Sequence, residues 1–165
     1  MVAARRVAWL LSVAVLLAAC RGGKGAADAG DGATPAAPPG TVVTLGPGDD
    51  LAAALATAGE RAREADQRVY VELYASWSEP ALAIHRSMAD PRMREAFSRT
   101  FVLRVDIDHH RDELEALGYP TSSVPLVVAA GPDGRAGDRH LTSADLTAPT
   151  PAAMAPIFER FFHGE

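Results

Sequence analysis

Residues 72–85 read ELYASWSEPALAIH, and the chain changes character at Trp77. Upstream, from Val69 to Ala75, Val69, Val71 and Leu73 alternate with Tyr70, Glu72 and Tyr74. Such a segment is apolar enough on both faces to lie inside a sheet. Downstream, Ser78-Glu79-Pro80-Ala81 has the chemistry of a helix start. Ser is a favoured N-cap, an acidic residue complements the dipole of the first turn, and Pro suits the first helical positions. The stretch therefore predicts an interior strand that turns directly into a helix.

Working outward, the helix that opens at Glu79 runs to about Phe97 and is interrupted at Asp90-Pro91, because Pro removes a backbone donor and crowds the turn before it. Phe101 to Ile107 is a second strand, with Phe101, Leu103, Val105 and Ile107 on one face. A short helix from Arg111 to Leu117 stops at Gly118. Pro125 to Ala130 is a third apolar strand, and Gly131-Pro132-Asp133-Gly134 turns the chain toward His140 and Leu141. Near the C-terminus, Met154, Ile157, Phe158, Phe161 and Phe162 fall at helical spacing, with Pro156 delaying or kinking that helix. On the N-terminal side, Thr41 to Leu45 is a short β-prone run. Asp49 or Asp50 can cap a helix through about Arg68 that carries Leu51, Leu55, Ala58 and Ala62 on one face. The order β, α, β, α, β, α, β, β, α predicts a layered α/β domain with a mixed sheet.

Four motifs in this order resemble the thioredoxin superfamily over about residues 41 to 165: VYVELYASWSEPA, ADPRMREAF, VLRVDID and SSVPLVV. The chain is most similar in kind to the C-terminal periplasmic domain of membrane thiol:disulfide interchange reductases and to short thioredoxin-like lipoproteins. The resemblance implies a thioredoxin-like fold, with a central mixed sheet of four to five strands flanked by about four helices. It places Trp77 before the redox pair, Ser78 at the attacking cysteine and Ala81 at the resolving one. Pro125 stands at the cis-proline, Val124 at the residue whose backbone contacts substrate, and Glu72 at the buried acid behind the site. Two features depart from the pattern: the loop from Gly118 to Pro125 is about two residues longer, and Leu126 replaces the usual Thr.

The larger departure is chemical. Disulfide exchange needs a thiolate and a second sulfur to resolve the mixed disulfide, and the positions that would supply them hold Ser78 and Ala81. Ser78 can cap its helix, but its hydroxyl is not ionised at neutral pH. His85 lies seven residues along the helix, about 10 Å of rise away, too far to serve Ser78 as a base; its reading is a partly buried place beside Leu82 and Met88. Asp106 to His110, DIDHH, holds residue types that bind metals, yet no zinc-like ligand spacing appears. Asp108 reads as a helix cap and His109 and His110 as a solvated loop, so neither a metal nor a cofactor is expected. Desolvation on an interior strand should raise the pKa of Glu72, which reads as a relic with a polar or water partner. Two function classes follow. One is a binding or chaperone-like module whose Trp77, Val124 and Pro125 surface takes an extended peptide or envelope protein by backbone pairing. The other is an oxidoreductase relative working with a partner's thiols or by another chemistry.

The N-terminus sets the compartment. Arg5 and Arg6 precede an apolar run from Val7 to Leu17, the layout of a secretory signal. Leu17-Ala18-Ala19-Cys20 then resembles the lipobox of bacterial lipoproteins, which implies cleavage before Cys20 and acylation of its sulfur and amino group. Cys20 is the only cysteine of the 165 residues, so no sulfur remains for exchange. Residues 1–19 are thus expected as signal peptide, 20–48 as lipidated Cys and flexible tether, and 49–165 as the folded domain, its first strand starting at about 41. The tether sequence from Arg21 to Gly40 is Gly, Ala, Pro and Asp with almost nothing to bury. By resemblance to lipoprotein sorting, Arg21 after the Cys favours the outer membrane, with the domain facing the periplasm. The net charge of −5 becomes more negative once Arg5 and Arg6 are removed. Nucleic acid is therefore not an expected partner, and membrane contact is expected through the anchor alone.

Overall fold

The computed structural model describes residues 37–164. Cys20, the signal-like segment and most of the tether lie outside the described residues. Five strands form one mixed sheet in the order β1-β3-β2-β4-β5. β1 (Thr41–Thr44), β3 (Thr100–Asp106) and β2 (Arg68–Tyr74) run parallel, with β3 between the other two. β4 (Leu126–Ala130) is antiparallel to β2, and β5 (Ala136–Thr142) is antiparallel to β4.

The side-chain alternation of β2 and β3 divides the core into two. Val71, Leu73, Leu103 and Val105 face helix α1 (Leu51–Glu64) and helix α4 (Ile107–Ala116), meeting Leu51, Leu55 and Leu114. Tyr70, Val102 and Val127 face α2 (Glu79–Ser87), α3 (Pro91–Ala96) and α5 (Pro151–His163). There Phe158 and Phe162 of α5 are almost completely buried and Phe97 packs on both, with centroids 4.9 and 4.8 Å away. Burial of one such ring stabilises the fold by about 1.5–3 kcal/mol, so this helix is a principal clamp on its face of the sheet. None of the described helices is long and apolar enough to cross a membrane.

Element ends differ from the sequence reading in ways with local causes. α1 stops at Glu64 rather than near Arg68, because Asp66 takes a positive φ of 52° and Arg68 already pairs with Thr100 in the sheet. The helix from Glu79 is interrupted at Asp90-Pro91 as expected, and Asp90 caps a separate one by accepting from the Arg92 N–H, so that the described residues hold five α-helices. In α4 a first turn from Ile107, capped by Asp106 accepting from the Asp108 N–H at 2.9 Å, precedes the helix expected from Arg111, and the two meet at a kink at His110, where φ is −123°. His109 therefore lies in a helical turn rather than in a loop, and His110, at the kink, is buried against the Gly46 carbonyl. Gly118, at φ 83°, follows the end of α4. Pro156 sits inside α5, which begins ahead of it at Pro151.

Candidate functional site

β2 delivers the site. It lies in the middle of the sheet, and three residues beyond its last, Tyr74, the chain reaches Trp77. Ala75 accepts from the Ser78 N–H at 3.1 Å and closes the turn into α2. Ser78 is the N-cap by backbone geometry, and its carbonyl accepts the first helical bond from Leu82. Its side chain, however, makes no cap bond. The hydroxyl instead donates to the Val124 carbonyl at 3.4 Å, because Val124 lies across the turn and offers a free acceptor. Ala81, the third residue of α2, is fully buried and Ser78 is 5% exposed.

The Val124–Pro125 bond is cis. Pro125 is buried under this loop, while Val124 is only half-buried. The long connection that brings the loop here is tied to α4: Arg111 donates to the Thr121 hydroxyl at 3.0 Å, and that hydroxyl donates to Glu115. Trp77 is the outlier of the surface. It is 65% exposed, and Val42 at 37% is the other large apolar side chain open to solvent among the described residues. Its indole Nε1 donates to Asp108 Oδ2 at 2.9 Å, which holds the exposed ring by its polar edge.

Behind the turn lies a buried charge pair. Arg104 Nε donates to Glu72 Oε2 at 3.0 Å, with both side chains at 5% exposure or less. The guanidinium also lies 4.3 Å from the centre of the Tyr74 ring, and its Nη1 is 3.0 Å from His85 Nδ1. Glu72 Oε1 has no partner. Burial pushes the Glu72 carboxyl up, with the Arg104 charge and hydrogen bond opposing it. Glu72 thus has a definite ionic partner rather than a loose polar one. His85 is exposed rather than partly buried, and set against Arg104.

No protein-family model and no curated protein matches the chain. Solved structures do. A disulphide isomerase from Xylella fastidiosa Temecula1 is similar at 16% identity, over 70% of this chain and 94% of that one, with a TM-score of 0.57. This chain has a thioredoxin-like fold. Thioredoxin O1 from Arabidopsis thaliana is similar at 15% identity, 74% and 98% coverage and a TM-score of 0.47. Trichomonas vaginalis thioredoxin is similar at 22% identity, 73% and 96% coverage and a TM-score of 0.43.

Within this thioredoxin-like frame, the structure brings Trp77, Ser78, Ala81, Val124 and Pro125 to one end of the sheet, with Glu72 behind them on β2. Among the described residues no group of three His, Cys, Asp or Glu side chains could hold a metal ion. Sequence reasoning missed Arg104 and the roles of Asp108 and His85. The signal for Arg104 was present: a lone basic residue in VLRVDID, on an otherwise apolar strand and in register with Glu72. Opposite charges on neighbouring buried strands need one another, since either alone is costly to desolvate.

Proposed function

We propose that this chain is a redox-inactive, lipid-anchored thioredoxin-like module of the bacterial cell envelope that binds an extended segment of a partner protein. The observation that carries the reading is an exposed Trp77 beside the Val124 loop, at a turn where, by the resemblance, Ser78 and Ala81 stand in the two sulfur positions. An aromatic ring fixed by one edge gives a large contact area at little entropic cost, and such rings dominate the energetics of recognition sites. Val124 supplies the main chain for pairing. Its carbonyl has two lone pairs, of which the Ser78 hydroxyl engages one, so an extended peptide can use the other as it does in strand addition. The hydrocarbon anchor at Cys20, by resemblance to lipoproteins, places that surface in the envelope.

A second reading, a thiol-disulfide oxidoreductase relative, draws on the similarity to a structure described as a disulphide isomerase and on the buried Glu72 behind the turn. It requires the partner to bring every sulfur that reacts.

Two measurements test the proposal. Palmitate labelling of expressing cells should mark the protein, and Cys20→Ser should abolish the label. Extended peptides screened by fluorescence anisotropy should bind the unlabelled full chain and lose affinity in Trp77→Ala. Label that persists in Cys20→Ser removes the anchor, and binding indifferent to Trp77 removes the site. Acceleration by the chain of exchange between a disulfide substrate and an added thiol would favour the second reading.

A further inference from the structure

The contact between His85 and Arg104 fixes a protonation state. A guanidinium only donates, so His85 Nδ1, 3.0 Å from Arg104 Nη1, must present its lone pair. The ring is then neutral, with its hydrogen on Nε2. We propose that His85 is a proton-operated latch: neutral, it holds helix α2 on the buried Arg104–Glu72 pair, and protonated, it releases that helix.

The reason lies in how Arg104 is held. Its Nε is engaged by Glu72 and its plane lies over the Tyr74 ring, so it cannot follow a departing partner. A proton on His85 Nδ1 would turn the contact into donor against donor and cation against cation. His85 is exposed while Arg104 is 4% exposed, so the imidazolium is the group that moves, outward into water. The charged groups around the contact do not cancel this. From β3 the imidazole faces Arg104. From β2 it faces Glu72 across Arg104, and Tyr74, whose sheet partner is Asp106. On α2 itself, Arg86 and Glu79 are paired to each other at 2.9 Å. Burial and then the Arg104 charge lower the His85 pKa, which agrees with a ring docked in its neutral form. Because α2 begins at the Ser78 turn, the latch sits on the element that shapes the site, and its operation needs no ligand.

The test is a titration of the full chain by NMR between about pH 4 and about pH 8, the range that brackets histidine protonation. The His85 ring should titrate below 6.5, and the backbone amides of residues 79–87 should shift with the same midpoint. In His85→Gln, whose side-chain carbonyl can still accept from Arg104, the α2 transition should vanish. In His109→Gln, close to Trp77 through Asp108, the α2 transition should persist. In Glu72→Gln the His85 midpoint should fall further, since Arg104 would lose its counter-charge. The proposal is overturned if His85 titrates at or above 6.5, if α2 still titrates in His85→Gln, or if its transition disappears in His109→Gln. Both of these histidines are exposed, so their variants remain informative should Glu72→Gln fail to fold.

Discussion

Trp77 projects into solvent and is nevertheless anchored, its indole nitrogen donating to Asp108 on a different element at 2.9 Å. The ring's face is thereby free while its orientation is set. Trp77→Ala should lower affinity for a bound peptide by about tenfold or more, on the order of 1.4 kcal/mol. Asp108→Ala should cause a smaller loss and broaden the Trp77 resonance. Both should leave unfolding within about 0.5 kcal/mol of the parent. A fall in stability matching the loss of affinity would show that Trp77 is structural and not a contact.

Introducing sulfur tests the turn itself. Ser78 is the N-cap of α2 and Ala81 its third residue, adjacent turns of one helix start. Ser78→Cys with Ala81→Cys should form an intramolecular disulfide and gain exchange activity, because a helix N-terminus favours the thiolate. Each single variant should form only mixed disulfides. Ala81 is fully buried, so some stability will be lost to overpacking, by about 1–3 kcal/mol. Mass spectrometry of the oxidised double variant decides; two thiols that cannot be joined would mean their Cβ atoms lie beyond bridging range.

Glu72 and Arg104 should behave as a unit. Breaking a buried pair leaves one uncompensated charge, at a cost of about 3–5 kcal/mol, so Glu72→Leu and Arg104→Met should each be strongly destabilising in urea titrations. The double variant should be less destabilised than the sum of the two, since it removes both charges together. Simple additivity would argue that the bond seen at 3.0 Å contributes nothing in solution.

Asp90 predicts an acid-sensitive joint between α2 and α3. The Arg92 side chain and backbone N–H hold its carboxyl down to about 2. A depressed carboxylate pKa contributes stability that is present above the unfolded value of 3.8 and is lost as pH falls through about 2. Asp90→Asn keeps an oxygen for the cap and should weaken the acid dependence, leaving the part carried by Asp145, whose carboxyl the Thr142 hydrogen bonds also hold down, with a small loss of stability. Asp90→Ala should lose the cap as well and melt lower at neutral pH. Melting curves recorded at neutral pH and at about pH 2.5 compare the variants with the parent; an unchanged acid dependence in Asp90→Asn would place the titration elsewhere.

Much of this architecture is readable in the chain because β2 and β3 alternate cleanly and because Asp90-Pro91 and Gly118 punctuate it. Periodicity reports what a residue's own strand or helix wants. It does not report which residue stands opposite, so a lone Arg104 on an apolar strand signals a buried partner, while only the β2–β3 register identifies that partner as Glu72. Capping was misjudged for the same reason. Ser78 has the composition of a cap, yet its hydroxyl goes to Val124, 46 residues away. Asp106 and Asp108 are chemically alike, and only the point where β3 ends chooses between them.

The chain enters the domain at the end of the sheet opposite Trp77. The Pro38 carbonyl accepts from the Arg99 N–H and that of Pro39 from Gln67, at the end of the sheet where β2 and β3 begin. A Cβ on Gly40 would lie 1.9 Å from the Phe97 carbonyl oxygen, so the entering strand is pressed against the domain there and only glycine fits. Trp77 is at the other end, beyond seven residues of strand, or about 23 Å at 3.3 Å per residue. The chain therefore enters the domain at one pole of the sheet and presents its indole at the other, so a partner can reach the ring without meeting the incoming chain.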